Sequence, residues 1–330
     1  MSWQIVSPLA AGNGAYVVHK SLEAGLSGYL VQSYNPWLTL FPPLLKFSKF
    51  SRKVDLIHTT PDYAIWSARD NIPLVATFHN YVLDPFMYSY STVLQSLHYR
   101  TDLRWFTHLA VRRAKVLTAV SQFIADLACK DLGIDQNIRV IHNGIDESLF
   151  TPSRSPQRGA TIKVLFAGNL TKRKGAQWIL PIADRIHNGV QILYTSGMRT
   201  KAVLPEHPRI SNLGNVPHED MPALYRSVDI LLLPTVREGL PMAVLEAMGS
   251  GIPVVATNCS SLPELIDHKK GGCLCRPGDV DQFAKKINEL AESAALRHEM
   301  GQYNRAKIEA KYTHRQMVMA YQALFSELLE

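Results

Sequence analysis

Residues 234–258, PTVREGLPMAVLEAMGSGIPVVATN, decide the fold of the chain. Two flanking runs, DILLLP at 229–234 and PVVA at 253–256, are short and aliphatic, which is typical of buried parallel strands. A helix is predicted between them. It begins at Pro241, since proline loses no hydrogen bond at a first helical position, and it ends at the glycines 249 and 251. The segment therefore predicts a strand, a loop, a helix and a second strand of an α/β sheet.

The same segment carries two glutamates at positions suited to a phosphorylated ligand. The backbone N–H groups of Leu240, Met242 and Ala243 lie at the positive end of the predicted helix, where they attract an anion. Glu246 lies inside the helix, roughly 7 Å along its axis, and can accept hydrogen bonds from a diol such as ribose. Glu238 precedes the helix and would face the group beyond the phosphates. The residues alone leave open a plainer interpretation, in which both glutamates lie on the surface beside an ordinary crossover helix.

Three further loops follow predicted strands. Strand 3–9 leads into Gly12-Asn13-Gly14, which is not a dinucleotide fingerprint because its third glycine and the acidic residue expected about 20 residues later are missing. Strand 161–167 leads into GNLTKRKG at 168–175, which is not a P-loop because no Gly-Lys-Ser/Thr follows. Strand 72–77 leads to His79, at the carboxyl end where α/β sheets bind ligands; a hydrogen-bonded structural histidine is the alternative.

The composition is that of a globular protein with a mildly basic surface. The 330 residues favour two domains, and 46 % of them are hydrophobic. The formal net charge of +7 suits anionic ligands, but no aromatic and basic platform matches a nucleic-acid module, so no nucleic-acid partner is expected. The four cysteines form neither zinc-type pairs nor a disulfide framework. Since the sequence has no basic leader and no run of 18 apolar residues, we expect a cytoplasmic protein that is neither secreted nor membrane-spanning.

Residues 37–53 interleave aromatic and cationic side chains, a pattern typical of an interfacial membrane anchor. The aromatic members would insert and the cations would meet anionic headgroups, which predicts peripheral association with the inner face of the membrane. A surface segment whose aromatics pack inward is the alternative. The side chains concerned are Trp37, Phe41, Lys46, Phe47, Lys49, Phe50, Arg52 and Lys53.

Residues 238–256 contain a longer motif. Glu238-Gly-Leu-Pro, followed by LEAM at 245–248 and GIPVVA at 251–256, resembles the nucleotide-sugar signature of the family-4 retaining glycosyltransferases (glycosyl transferases group 1), with its two glutamates separated by seven residues. The resemblance covers nearly the whole chain and implies the α/β GT-B fold, in which two Rossmann-like domains face an interdomain cleft. We expect an acceptor-side domain at 1–156 and a nucleotide-sugar domain at 157–313. Helix 314–330 is expected to pack back on the first domain.

The resemblance also implies roles for individual residues. His79 and Glu238 are expected at the reaction centre, with Glu246 on the ribose and Lys174 on the diphosphate. Gly14 would face the phosphates across the cleft, and the backbone around Val216 would read the base. Asn169 stands where the family usually has an arginine, so either Arg173 replaces it or lysine and backbone hold the diphosphate alone. The expected donor-binding residues are Gly14, Asn169, Arg173, Lys174, Val216, Gly239, Leu240, Met242, Ala243 and Glu246.

The function implied is retaining, metal-independent transfer of a hexose from a nucleotide-sugar donor to an acceptor. The acceptor would be a glycan, a lipid-linked precursor or a small molecule, and no cofactor is expected. Asp279-Val-Asp281 spells an Asp-x-Asp metal motif, but its place just before a helix favours an N-cap. Two alternatives stay open: a nucleotide-sugar epimerase on a similar fold, and a non-catalytic nucleotide-binding protein associated with membranes.

Overall fold

The aliphatic runs of the sequence form two parallel six-stranded sheets. A computed structural model of the chain describes residues 3–47, 50, 53–153, 161–197 and 202–330. By its internal contacts the chain divides into unit 1, which comprises Met1–Gly144 and His314–Glu330, and unit 2, which comprises Ile145–Thr313.

The sheet of unit 1 has the strand order β2-β1-β3-β4-β5-β6, and every neighbouring pair is parallel. Its strands are β1 (Ile5–Ala10), β2 (Tyr29–Tyr34), β3 (Leu56–Thr59), β4 (Leu74–Phe78), β5 (Val116–Ala119) and β6 (Arg139–Val140). The helices are α1 (Gly14–Gly25), α2 (Ala64–Ser67), α3 (Val93–Arg100), α4 (Asp102–Arg113) and α5 (Gln122–Leu132), with short 3₁₀ turns at Pro36–Leu40, Pro42–Phe47 and Pro85–Tyr90. Both β3 and β4 are buried along their whole length, as is typical of central strands in a parallel sheet.

The sheet of unit 2 is also parallel and has the order β12-β11-β10-β7-β8-β9. Its strands are β7 (Ile162–Phe166), β8 (Val190–Tyr194), β9 (Ile210–Asn212), β10 (Ile230–Leu233), β11 (Val254–Thr257) and β12 (Gly272–Cys275). Its helices are α6 (Ala176–Ala183), α7 (Met221–Arg226), α8 (Met242–Gly249), α9 (Leu262–Leu265), α10 (Val280–Glu292) and α11 (Ala294–Lys311), with a 3₁₀ turn at His218–Asp220. The central β10 is aliphatic and fully buried, with β7 and β11 on its two sides.

Helix α12 (His314–Leu329) belongs to unit 1, although unit 2 precedes it in the chain. The Phe325 ring stacks on Tyr29 at a centroid distance of 6.1 Å, and the imidazole of His314 lies 2.8 Å from the carbonyl oxygen of Ser21 on α1. The buried side chains of α12 are those of Met317, Tyr321, Leu324 and Phe325. Residues 314–330 therefore complete the core of unit 1.

Unit 2 begins at Ile145 and not at 157, where the sequence analysis places the boundary. The reason is packing: Phe150 meets Tyr225 of α7 edge-on at 5.9 Å, and Ile145 lies so close to Gly249 of α8 that a Cβ there would approach its side chain to 2.5 Å. Residues 154–160 of the proline-rich linker lie outside the described part of the chain.

Candidate active site

The loop between β10 and α8 is buried from Pro234 to Pro241. Pro241 is the N-cap of α8 and not, as the sequence predicts, its first helical residue. Its backbone is extended, with ψ 119°, and its carbonyl accepts a hydrogen bond from the Val244 amide at 3.1 Å. The amides of Met242 and Ala243 belong to the first turn, where N–H groups have no acceptor within the helix. Both residues are only half-buried, so an anion has access to this end of the helix.

Glu238 lies in that loop with its carboxylate almost fully enclosed. One oxygen, Oε1, accepts hydrogen bonds from Lys174 Nζ at 2.7 Å and from Thr235 Oγ1 at 2.8 Å. Arg173 Nη1 lies 3.7 Å from the same oxygen. The backbone N–H of Glu238 donates to Ser260 Oγ at 3.0 Å. The side chain is therefore fixed from its own loop and from loop 168–175, and its backbone is fixed by Ser260.

Burial and charge act in opposite directions on this pair. Burial alone would raise the pKa of Glu238, but Lys174 and Arg173, with the hydrogen bonds from Lys174 and Thr235, outweigh it and hold the pKa below its usual value. Burial lowers the pKa of the Lys174 ammonium, and the neighbouring Glu238 carboxylate offsets only part of that effect. Glu238 is thus an ionised carboxylate with a matched cation in a site nearly without water.

The cationic loop 168–175 is attached to the Glu238 loop by its backbone. The carbonyl of Arg173 accepts from the Val236 amide and from Thr235 Oγ1, each at 2.9 Å. Gly175 permits this approach, because its φ of +81° suits glycine and a Cβ there would lie 2.0 Å from the Pro234 carbonyl oxygen. The Arg173 guanidinium donates to the Arg237 carbonyl at 2.7 Å. The structure therefore brings Arg173 and Lys174 together at Glu238.

Asn169 lies in the same loop, half-buried, at the position where the sequence analysis notes a missing arginine. Its backbone and its Oδ1 pack closely against Gly197, where a Cβ would approach the Oδ1 to 2.4 Å. A guanidinium that does come close to Glu238 is that of Arg173, whose Nη1 lies 3.7 Å from Oε1.

Glu246 is buried on α8 and accepts a hydrogen bond from the Tyr225 hydroxyl at 3.0 Å. Burial raises the pKa of the Glu246 carboxyl, an effect that His218 and the Tyr225 hydrogen bond counteract only in part. The sequence analysis identified Glu246 but not Tyr225, which comes from the preceding helix α7 and whose type alone carries no signal. Tyr225 therefore fixes one oxygen of the carboxylate, Oε2.

Val216 follows β9 in the turn that starts at Gly214, whose carbonyl accepts from the Ser196 amide at 2.8 Å. All the predicted donor residues of unit 2 follow carboxyl ends of parallel strands: loop 168–175 follows β7, Val216 follows β9, and Glu238 follows β10. They therefore share one edge of the sheet, the edge at which ligands bind in open α/β sheets. The buried loop residues Gly239 and Leu240 lie there too.

In unit 1, Gly14 and His79 likewise follow strands β1 and β4 at a single sheet edge. Gly14 is the exposed first residue of α1, and a Cβ there would meet nothing within 4 Å. His79 is half-buried, and its Nε2 lies 2.9 Å from the Nε2 of His19. Burial lowers the pKa of His79 to about 3, so its imidazole is neutral near pH 7. The sequence analysis missed His19, which lies on α1 outside any motif.

The Asp-x-Asp sequence has the structural role predicted for it. Asp279 is the N-cap of α10 and accepts from the Gln282 amide at 3.0 Å, while Asp281 pairs with Arg185 at 2.6 Å. Among the described residues, no three His, Cys, Asp or Glu side chains group together in a way that could hold a metal ion.

The predicted membrane segment is partly exposed. Trp37 and Phe47 are 76 % and 78 % exposed, and Phe41 is also exposed. Phe50 departs from the prediction: it is half-buried against the core of unit 1, with the Arg69 guanidinium 5.1 Å from its ring centre. Residues 48, 49, 51 and 52, including the predicted cations Lys49 and Arg52, lie outside the described residues. No helix within the described ranges is long and apolar enough to span a membrane.

Two family models match the chain. Residues 10–149 match the model described as Glycosyltransferase Family 4, and residues 161–293 match the model described as Glycosyl transferases group 1. The D-inositol 3-phosphate glycosyltransferase of Corynebacterium jeikeium is 30 % identical over 219 residues, which are 58 % of this chain and 52 % of that protein. The matched segments cover 26–61 % of the lengths of other curated relatives.

Solved structures show the same fold. Sucrose-phosphate synthase from Thermosynechococcus elongatus has a TM-score of 0.79 at 16 % identity, over 98 % of this chain and 99 % of that one. Anabaena HepE, in a complex with UDP-glucose, has a TM-score of 0.75 at 20 % identity, over 98 % of this chain and 99 % of its own. The two parallel sheets with their flanking helices are those of the GT-B fold. The chain belongs to the family-4 glycosyltransferases, glycosyl transferases group 1.

Proposed function

We propose that the protein transfers a sugar from a nucleotide-diphosphate sugar to an acceptor hydroxyl, with retention of anomeric configuration and without a metal ion or other cofactor. The observation that carries this proposal is the buried pair of Lys174 and Glu238 beside the amide end of α8. A lysine, an arginine and helix amides at one sheet edge form a site for a diphosphate. The family membership and the UDP-glucose complex of Anabaena HepE support the same reading.

Each predicted donor residue has a role in this proposal. The ring diol of ribose donates to the oxygen of Glu246 that Tyr225 leaves open, and the backbone around Val216 meets the base. Lys174 and the amides of Met242 and Ala243 bind the diphosphate, while Glu238 accepts from a hydroxyl of the sugar. The buried loop residues Gly239 and Leu240 bring the chain close to the phosphates, and Gly14 supplies a surface without a side chain in unit 1.

During transfer the bond between the anomeric carbon and the phosphate oxygen breaks, and the acceptor oxygen bonds to that carbon. The negative charge grows on the leaving diphosphate, where Lys174 and the α8 amides stabilise it. The proton of the acceptor hydroxyl passes to the departing diphosphate oxygen as the new bond forms. His79, neutral because it is buried, orients a hydroxyl by hydrogen bonding. Asn169 adds only a neutral amide. The positive charges that bind the diphosphate therefore come from Lys174 and Arg173.

A two-step experiment tests the proposal. A thermal-shift screen of nucleotide sugars identifies the donor, because a ligand at 100 times its Kd stabilises the folded state by about 2.7 kcal/mol. The donor is then incubated with the enzyme and candidate glycan, lipid-linked and small-molecule acceptors. We expect a retained glycoside product, its loss in Glu238→Gln, and normal rates in Lys172→Met, which changes an exposed cation of the same loop. Conversion of the donor sugar to its epimer in the absence of an acceptor would identify an epimerase. Donor binding with neither transfer nor donor hydrolysis would identify a non-catalytic protein.

We also propose that the 3₁₀ turns Pro36–Leu40 and Pro42–Phe47 bind an anionic membrane surface, on the evidence of the exposed Trp37, Phe41 and Phe47. Membrane binding would bring the enzyme to a lipid-linked acceptor. Flotation with anionic liposomes at low salt should carry the wild-type protein upward. The double variant Trp37→Ala and Phe47→Ala should stay behind, and Trp105→Ala, which removes an exposed tryptophan from α4, should float. Equal flotation of all three proteins would contradict this assignment.

A further inference from the structure

A buried chain of hydrogen bonds lies behind His79 in unit 1. His79 Nε2 is 2.9 Å from His19 Nε2, and His19 Nδ1 is 2.7 Å from Ser7 Oγ and 2.8 Å from the Tyr29 hydroxyl. The Tyr29 hydroxyl is also 2.7 Å from His58 Nδ1. The His19 and His58 rings stack with centroids 4.3 Å apart. His79 is thus joined to His19 directly, and His19 is joined to His58 through the Tyr29 hydroxyl.

The chain ends on polar groups of the central strands. His58 Nε2 is 2.7 Å from Thr77 Oγ1, which is 2.5 Å from Thr118 Oγ1. His19, His58, Ser7 and Thr77 are all fully buried. Every ring nitrogen of His19 and His58 therefore has a partner inside the core. His79, at the sheet edge, is the member of the chain that is partly exposed.

The three imidazoles are neutral. Burial lowers the pKa of His19 and of His58 well below the usual histidine value, and the other histidines add to the effect. A hydrogen bond between two neutral ε-nitrogens requires a proton on one of them and a lone pair on the other. The tautomers of His19 and His79 are therefore coupled: when His19 carries its proton on Nε2, His79 carries its proton on Nδ1, and the reverse also holds.

The nitrogen that His79 offers to a ligand follows from this coupling. Its Nε2 is occupied by His19, and in the described part of the chain no hydrogen bond reaches its Nδ1. Whether Nδ1 donates or accepts is decided by the proton on His19, which is decided in turn by the Ser7 and Tyr29 hydroxyls.

We infer that His19 is a positioning residue for the transfer reaction: it holds His79 by Nε2 and sets the tautomer that Nδ1 presents to a substrate hydroxyl. This inference rests on the proposed function. His19 touches no substrate. It acts as the orienting partner of a reactive imidazole, with Ser7 and Tyr29 as the groups that fix its own protonation.

The test compares two substitutions of His19. His19→Phe keeps most of the ring volume and removes the bond to His79, whereas His19→Gln keeps a polar group near the position of Nε2. We expect His19→Phe to lower kcat about ten- to hundredfold with a smaller change in the donor KM, since a misplaced catalytic group loses rate on this scale. His19→Gln should recover most of the rate. Equal kcat values for His19→Phe and the wild type, or equal losses in the two variants, would overturn the inference.

A second readout does not depend on activity. The ¹⁵N chemical shifts of a neutral histidine distinguish its protonated nitrogen from its bare one. We expect one dominant tautomer of His79 in the wild-type protein and a mixture in His19→Phe. Should His19→Phe fail to fold, Tyr29→Phe serves in its place, because it deletes only the hydroxyl that joins His19 to His58. An unchanged His79 tautomer in the variant would overturn the inference even if no donor were found. If the tautomer changed as expected but the wild-type protein transferred no sugar, the result would count against the proposed function instead.

Discussion

Lys174 places its ammonium 2.7 Å from the Glu238 carboxylate, and the two side chains are only 16 % and 7 % exposed. The pair couples ligand binding to stability, because each charge compensates the other in a nearly dry site. If the proposed function is correct, we expect a diphosphate to compete with Glu238 for the Lys174 ammonium, which would release the carboxylate to a sugar hydroxyl.

Replacing Lys174 by Met should cost both activity and stability. The change leaves the Glu238 carboxylate buried without its main cation, and we expect a loss of about 3 kcal/mol in the free energy of unfolding. Urea unfolding measures it. The double variant Lys174→Met and Glu238→Gln should regain much of that loss without regaining transfer, and Lys172→Met should match the wild type. If the single and double variants were equally stable, the ion pair would have no energetic role.

Replacing Gly14 by Ala should affect donor binding but not folding. Gly14 has an ordinary helical φ, and the added methyl group meets no atom within 4 Å, so the melting temperature should stay the same or rise slightly. A phosphate that approaches this backbone would meet the methyl group, and we expect the Kd of the donor to rise about tenfold. Isothermal titration with the donor measures the change. Unchanged affinity, with Gly14→Val also unchanged, would remove Gly14 from the donor site.

Replacing Tyr225 by Phe should weaken nucleotide binding through Glu246. The buried carboxyl loses a hydrogen bond, which should cost about 1 kcal/mol of stability. It also loses the partner that fixes its orientation for the ribose diol, so a nucleoside diphosphate should give a smaller thermal shift. Tyr303→Phe is the matched control, since Tyr303 donates to the Asp267 carboxylate in the same unit. Both variants should lose stability, but only Tyr225→Phe should lose affinity.

The buried histidines should make the protein sensitive to mild acid. The pKa of His79 falls from about 6.5 to about 3 on folding, and those of His19 and His58 fall as well. At a pH between the folded-state and unfolded-state pKa values of a histidine, the unfolded chain binds more protons than the folded one. Stability is therefore fully present above about pH 6.5 and decreases below it, by up to about 1.4 kcal/mol per pH unit for each histidine.

Urea unfolding between about pH 7 and pH 5 measures this slope. His58→Gln should reduce this slope by the contribution of one histidine, because His58 is fully buried and its pKa falls on folding. The ionised Glu238 acts in a lower range, because its depressed pKa lies below that of an ordinary glutamate. A slope that His58→Gln leaves intact would assign the acid sensitivity to other groups.

Local pattern was sufficient for much of the fold. The runs at 229–234 and 253–256 became β10 and β11, and the apolar spacing of 314–329 predicted α12 correctly. The strands β2 and β9 were not predicted, because they lie at the sheet edges, where mixed polar and apolar residues hide the hydrophobic period. Pro241 was predicted as the first helical residue but is the N-cap. The sequence does not distinguish the two positions, because proline suits both.

The candidate site was predictable where it coincides with a motif and not elsewhere. Glu238, Glu246 and Lys174 were predicted from spacing and resemblance. Thr235, Tyr225 and His19 were not, because each acts by contacting one of those residues or His79 from a separate element. The ion pair was not predicted either. The sequence predicts that Lys174 binds the diphosphate and that Glu238 binds the sugar, whereas the structure shows the two side chains in contact with each other.

Unit 1 is formed by two separate segments of the chain, 1–144 and 314–330, and this affects how the protein folds during synthesis on the ribosome. Residues 145–313 emerge as one continuous stretch whose two ends already meet, since the Ile145 amide donates to the Tyr312 carbonyl at 3.0 Å. Unit 1 must wait for Tyr321 and Phe325, which cover His58 and Tyr29. We therefore expect the second half of the nascent chain to reach its native state first, with the older half remaining incomplete until translation has passed residue 325.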